Sequence, residues 1–168
     1  MKYICLIIFV MGLVLFSGCP KPQPNGDGFV EVKGPCAYAA QRVHIIGLTS
    51  VKPDPNSKSS AVISTYVSLH DSFDSSVKGP GVFRFELYEY VPRSSQPRGK
   101  QLLSWPEVDL SDPTENNSYW KDFLRAYYFS LDAVIDLNVP KTYILQVTCL
   151  TPAGKRLTDI FYVDIKID

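Results

Sequence analysis

Phe161-Tyr162-Val163-Asp164-Ile165-Lys166-Ile167-Asp168 alternates apolar and polar residues without a break. Successive side chains of a strand point to opposite faces, so a period of two marks a strand with one face buried. Here Phe161, Val163, Ile165 and Ile167 point one way, against Tyr162, Asp164, Lys166 and Asp168. The same period recurs upstream. Tyr143 to Leu150 turns Tyr143, Leu145, Val147 and Cys149 inward. Val82 to Val91 sets Phe83, Phe85 and Leu87 against Arg84, Glu86 and Tyr88. Val62 to His70 puts Ile63, Thr65, Val67 and Leu69 on one face, with Ser64, Tyr66, Ser68 and His70 on the other. Arg42 to Leu48 alternates Val43 and Ile45 with Arg42 and His44.

Turn residues separate these runs. Lys52 to Lys58, Lys78 to Gly81 and Pro92 to Lys100 read as loops, and Thr151-Pro152-Ala153-Gly154 as a hairpin connection. Residues 102–134 are less regular. Leu102 to Trp105 suits a short strand. Asp112-Pro113-Thr114-Glu115 is a helix start: Asp accepts from free N–H groups, Pro fits the first turn, and Glu stands where a capping box needs it. The pattern predicts a helix over Pro113–Tyr119 and a strand over Phe123–Asp132; one helix running on through Tyr128 is the alternative. Together these elements predict an all-β fold, an antiparallel β-sandwich of about seven strands with one short helix. The pattern resembles immunoglobulin-like, transthyretin-like and C2-like domains as a class, and no motif selects among them.

The opening residues carry a different signal. Met1-Lys2 is followed by an apolar run from Tyr3 to Phe16 and then Ser17-Gly18-Cys19. A basic tip, a short apolar stretch and small residues at the cut make a secretory signal peptide. The run is shorter than the roughly 20 residues a membrane-spanning helix needs. Phe16-Ser17-Gly18-Cys19 resembles the lipobox of bacterial lipoproteins. That family usually has Leu three positions before the cysteine, where this chain has Phe16 beside Leu15. The resemblance implies cleavage before Cys19, a diacylglycerol thioether on its sulfur and an acylated new amino terminus. Two or more acyl chains hold a protein firmly on a membrane. Pro20 stands where Asp signals inner-membrane retention in some two-membrane bacteria, which favours the outer membrane. The expected organisation is a signal peptide over 1–18, a lipidated, Pro/Gly-rich tether over 19–40, and a β-sandwich over 41–168.

Losing 18 of 168 residues leaves 150, enough for one domain with a real core. Seventeen basic residues balance seventeen acidic ones, and no basic block follows the signal, so nucleic-acid binding has no electrostatic basis. Of four cysteines, Cys5 leaves with the signal and Cys19 carries lipid. An oxidising compartment permits a disulfide between Cys36 and Cys149. Two unpaired thiols, with Cys149 filling the core, are the alternative.

Residues for chemistry are sparse. His44 and His70 are the only histidines, on the polar faces of their strands, without His-x-x-x-His spacing. There is no Gly-x-Ser-x-Gly elbow. Asp71, Asp74, Asp109, Asp112, Glu115 and Asp122 supply loop oxygens of the kind calcium prefers, but in no Asp-x-Asp-x-Asp run; solvated loop charge is the favoured reading. Exposed aromatics stack on sugar rings or anchor partners. Tyr88 and Tyr90 point outward, and Trp105, Tyr119 and Trp120 flank the irregular segment, which is expected to cover those tyrosines. The sequence therefore predicts a membrane-anchored cell-envelope lipoprotein, non-enzymatic and without cofactor or metal, presenting a sandwich for protein binding or envelope assembly. A glycan- or calcium-binding module is the alternative.

Overall fold

Two antiparallel sheets carry the chain from Arg42 to Ile165 in the computed structural model, which describes residues 36–53, 60–135, 139 and 141–165. The signal peptide, Cys19, the tether up to residue 35 and Lys166–Asp168 lie outside the described residues. The elements run β1 (Arg42–Ile45), β2 (Ser50–Pro53), β3 (Ala61–His70), β4 (Ser76–Val77), β5 (Val82–Tyr90), β6 (Arg98–Ser104), β7 (Val108–Asp109), α1 (Pro113–Tyr119), β8 (Trp120–Lys121), β9 (Ala126–Ala133), β10 (Lys141–Leu150) and β11 (Arg156–Ile165).

In the first sheet β3 is the spine. β1 and β2 lie end to end on one of its edges, with Ile45 opposite Val67 and Ser50 opposite Ser64. β9 runs along the other, from Ala61 opposite Ala133 to Val67 opposite Tyr127. The second sheet is ordered β11-β10-β5-β6, and β7 continues the β6 edge along β5. The fold class read from the sequence is therefore the observed one. The long strands agree in position, and three two-residue segments, β4, β7 and β8, are added.

The differences lie at strand ends. β1 stops at Ile45 because a turn begins there, with the Thr49 N–H donating to the Ile46 carbonyl at 3.0 Å. Residues 50–53, read partly as loop, form an edge strand, where a proline such as Pro53 is tolerated. β9 starts at Ala126 because Asp122 to Arg125 make the turn, with Arg125 at φ 50. The long-helix alternative is excluded, since α1 ends at Tyr119. Its start follows expectation: Asp112 Oδ1 accepts from the Thr114 and Glu115 N–H groups, both at 2.9 Å.

The core lies between the sheets. Val43, Ile45, Ile63, Val67, Leu69, Phe129 and Leu131 meet Phe83, Phe85, Leu87, Tyr143, Leu145, Val147 and Val163. Phe129 is the aromatic hub, with ring centroids at 4.7 Å from Phe85, 5.3 Å from Phe83 and 5.2 Å from Tyr119. Offset or tilted aromatic pairs at such distances add to the burial of their area. Both open sides of the sandwich are tied. On one, Asp159 of β11 accepts from the Ile45 N–H at 2.8 Å and meets His44 Nδ1 at 3.0 Å. On the other, residues 105–125 pass from β6 to β9, bringing Trp105, Val108, Tyr119 and Trp120 against the core.

Candidate functional site

The outer face of the second sheet is exposed along its edge strand β11, while its centre, at Glu86, Ile144, Gln146 and Thr148, is nearly buried. Pairing sets its outward residues in rungs: Thr158, Thr148 and Arg84; then Ile160, Gln146 and Glu86; then Tyr162, Ile144 and Tyr88. Residues two apart on a strand lie about 6.6 Å from each other, so adjacent rungs are in reach of long side chains. The lower rungs form a depression of about 420 Å³ bounded by Arg84, Glu86, Arg98, Thr148 and Arg156, among others. Three guanidinium groups thus surround one carboxylate.

That carboxylate is buried, only 7% exposed, although alternation marks Glu86 as outward and polar. The burial is compensated. Arg84 Nη2 stands 3.1 Å from Glu86 Oε1, and Gln146 Nε2 donates to Glu86 Oε2 at 3.1 Å. Gln146 Oε1 in turn accepts from Arg98 Nη1. Arg98 lies over the Tyr88 ring, 5.0 Å from its centroid, a cation–π geometry. Burial and the Glu86 carboxylate push the Tyr88 phenol above its ordinary range, while Arg98 and Arg84 pull against them. Thr148 differs: its hydroxyl is buried and has no hydrogen-bond partner. Further along the same face, Tyr90 and Tyr162 meet edge to face at 5.5 Å, beside Ile160. The segment 102–132 does not cover these tyrosines, contrary to expectation. Its Trp105, Tyr119, Trp120, Tyr127 and Phe129 turn to the core instead, because the segment crosses between the sheets, while Phe123 is 85% exposed.

The remaining sequence-derived candidates lie elsewhere. Cys19 is outside the described residues. Cys36 and Cys149 are not brought together; both are free thiols, Cys36 exposed and Cys149 buried in the core. Burial pushes the Cys149 thiol up to about 12. Cys36 to Ala40, given to the tether by the sequence, adjoin the loop after β3, where the Ser72 N–H donates to the Ala37 carbonyl at 3.2 Å and Tyr38 packs on Phe73 at 5.8 Å. His70 Nε2 is 2.9 Å from Ser68 Oγ. The loop acids serve local turns and ion pairs. Asp71 accepts from the Phe73 and Ser75 N–H groups at 2.9 Å, Asp74 pairs with Arg42, and Asp109 accepts from Ser111 at 2.9 Å. Among the described residues no three His, Cys, Asp or Glu side chains converge as metal ligands. Two other depressions, of about 400 and 430 Å³, flank the crossing segment. In the larger, the buried Asn116 amide is fully engaged, donating to the Leu110 and Gly79 carbonyls at 2.9 and 3.0 Å.

Fold and face together define a small antiparallel sandwich with a charged and aromatic outer sheet surface. No family model matches the sequence, and no curated protein matches it. Two solved structures show a distant likeness. The β-glucuronidase of Parabacteroides merdae is 13% identical, with 74% of this chain but 13% of the enzyme covered, at a TM-score of 0.40. The soluble domain of PmoD from a Methylocystis species is 13% identical, with 74% and 90% covered, at a TM-score of 0.42. Neither is close enough to bear on the site or the function.

Proposed function

We propose that this chain is a lipoprotein of the bacterial cell envelope, anchored through acyl chains on Cys19, on the outer membrane rather than the inner. It works without catalysis, presenting its sandwich to a protein partner or an envelope assembly. The observation that supports this reading is the exposed β11 side of the outer face of the second sheet. There Ile160 and Tyr162, two apart on β11, are 42% and 46% exposed beside Tyr90, while Leu150, 47% exposed, lies opposite Arg156 on the far side of the charged depression. Clustered exposed apolar side chains on a soluble domain mark interaction surfaces more often than scattered ones do.

Two measurements test it. Intact mass of the membrane fraction is expected to show a chain beginning at Cys19 and carrying acyl mass, and Cys19→Ala to move the protein off the membrane. A soluble, unmodified wild-type chain excludes the anchor. Photocrosslinking in cells from position 160 or 162 is expected to trap one discrete protein; the same yield from position 52, on the first sheet, excludes the face. The edge-to-face Tyr90–Tyr162 pair favours a second reading, a glycan-binding module. Binding to a glycan array, with and without calcium, distinguishes the two.

A further inference from the structure

We propose that the depression between Arg84, Arg98, Arg156 and Thr148 binds an oxyanion: a phosphate, sulfate or carboxylate group, taken as the acidic substituent of a larger ligand. The inference rests on the outer face of the second sheet being a binding face.

Three observations carry it. The first is Thr148, 6% exposed, whose Oγ1 has no hydrogen-bond partner. Leaving a buried hydroxyl unpaired is costly, and a valine of the same shape would avoid the cost. Thr148 stands between Arg84 and Thr158 in the ladder and is one of the residues that line the depression. The second is the balance of donors and acceptors. Both Glu86 oxygens and the Gln146 carbonyl oxygen are taken by side chains of the same face. Each guanidinium carries five N–H donors, so the unfilled capacity is almost all donor. Arg156 makes no hydrogen bond or ion pair among the described residues. A ligand that completes this set must therefore accept hydrogen bonds. The third is charge: three guanidiniums against one carboxylate leave an excess of two positive charges, which excludes a cation and favours an anion. The next rung, with Ile160, lies about 6.6 Å away and offers apolar surface to whatever bears the anionic group.

The test is thermal melting of the full-length chain in detergent at matched ionic strength, in chloride, inorganic phosphate, inorganic sulfate, acetate and phenyl phosphate. A ligand that binds the folded state alone raises the melting temperature. At least one oxyanion is expected to raise it above the chloride value. Phenyl phosphate is expected to act at lower concentration than inorganic phosphate; the reverse order would assign the site to a small free anion instead. Thr148→Val is expected to melt higher in chloride yet need about tenfold more anion for the same shift, with Thr148→Ser restoring the response. Arg156→Gln is expected to weaken the response by about tenfold and leave the chloride melt unchanged. Arg42→Gln, on the first sheet, is expected to leave the anion response unchanged. Equal melting in chloride and in every oxyanion overturns the proposal, as does a full response in both Thr148→Val and Arg156→Gln. Cys19→Ala keeps this site whole, so the anchor and the anion site fail or stand separately.

Discussion

At the scale of single residues, burial decides the chemistry of the groups it encloses. Tyr127 shows a buried polar atom fully satisfied. Its hydroxyl accepts from the Gly79 N–H at 2.9 Å and lies 2.9 Å from the Gly79 carbonyl and 3.1 Å from Asn116 Oδ1. Burial pushes this phenol above its ordinary range, as it pushes the Cys149 thiol up to about 12. Both groups are neutral in the fold at pH 7 and ionise more readily once unfolded. Their contribution is therefore whole below their unfolded values, near 9 for the thiol and 10 for the phenol, and is lost as pH rises through the folded values. Urea unfolding is expected to show stability falling from about pH 9, by at most about 1.4 kcal/mol per pH unit for each group. Cys149→Ala is expected to flatten the stretch between the two unfolded values, at a cost of about 1 kcal/mol at neutral pH. A bridge between Cys36 and Cys149 would already flatten it in the wild type, so the same curve tells the free thiols from the disulfide.

At the scale of elements, close approach at Gly81 fixes how β5 enters the second sheet. A Cβ there would lie 2.8 Å from Cys149 Sγ and 3.3 Å from the Leu150 carbonyl oxygen. The Gly81 carbonyl also accepts from the Leu110 N–H at 2.9 Å, which ties the crossing segment to the start of β5. Gly81→Ala is expected to destabilise by about 1–3 kcal/mol, read as a lower urea midpoint with an unchanged slope. The double variant Gly81→Ala/Cys149→Ala is expected to cost less than the sum of the two, because the second change opens the space that the first needs. Gly154, by contrast, has φ 76 and nothing near its missing Cβ; its glycine serves the left-handed position of the β10–β11 hairpin.

At the scale of the whole molecule, the sandwich depends on both inner faces staying dry. Val163 is buried in the core from β11, which makes it a test of the face assignment. Val163→Asp places an unpaired carboxylate between the sheets and is expected to abolish cooperative melting. Asp164→Asn, on the exposed face where the Thr142 hydroxyl donates to it at 2.7 Å, is expected to cost less than about 1 kcal/mol. Equal tolerance of the two changes would show that the inward face is misassigned. Lys166, the charged residue next on the exposed side in sequence, lies outside the described residues.

Strand alternation was enough to place most long strands and their inner faces, because a period of two is a local property of the backbone. Ile63, Val67 and Leu69, or Phe83, Phe85 and Leu87, state their burial without reference to any partner. Asp112 and Pro113 likewise state where α1 begins, since capping involves only the next turn. Short segments such as β4, β7 and β8 were not legible, for two residues carry no period and exist only where another strand accepts their hydrogen bonds. Nor was the charged depression. Arg84 and Glu86 stand on one strand, Arg98 on its neighbour, Thr148 opposite Arg84 on the strand to the other side, and Arg156 on the edge strand beyond. Each read as an ordinary outward residue of an exposed sheet face. Only sheet register set them side by side, buried Glu86 among arginines and left the Thr148 hydroxyl without a partner. The proposed anchor at Cys19 is the opposite case: a peptidase and an acyl transferase would read it as a short run of residues, so its signal lies wholly in sequence, whereas the charged face came into being only when β5, β6, β10 and β11 paired.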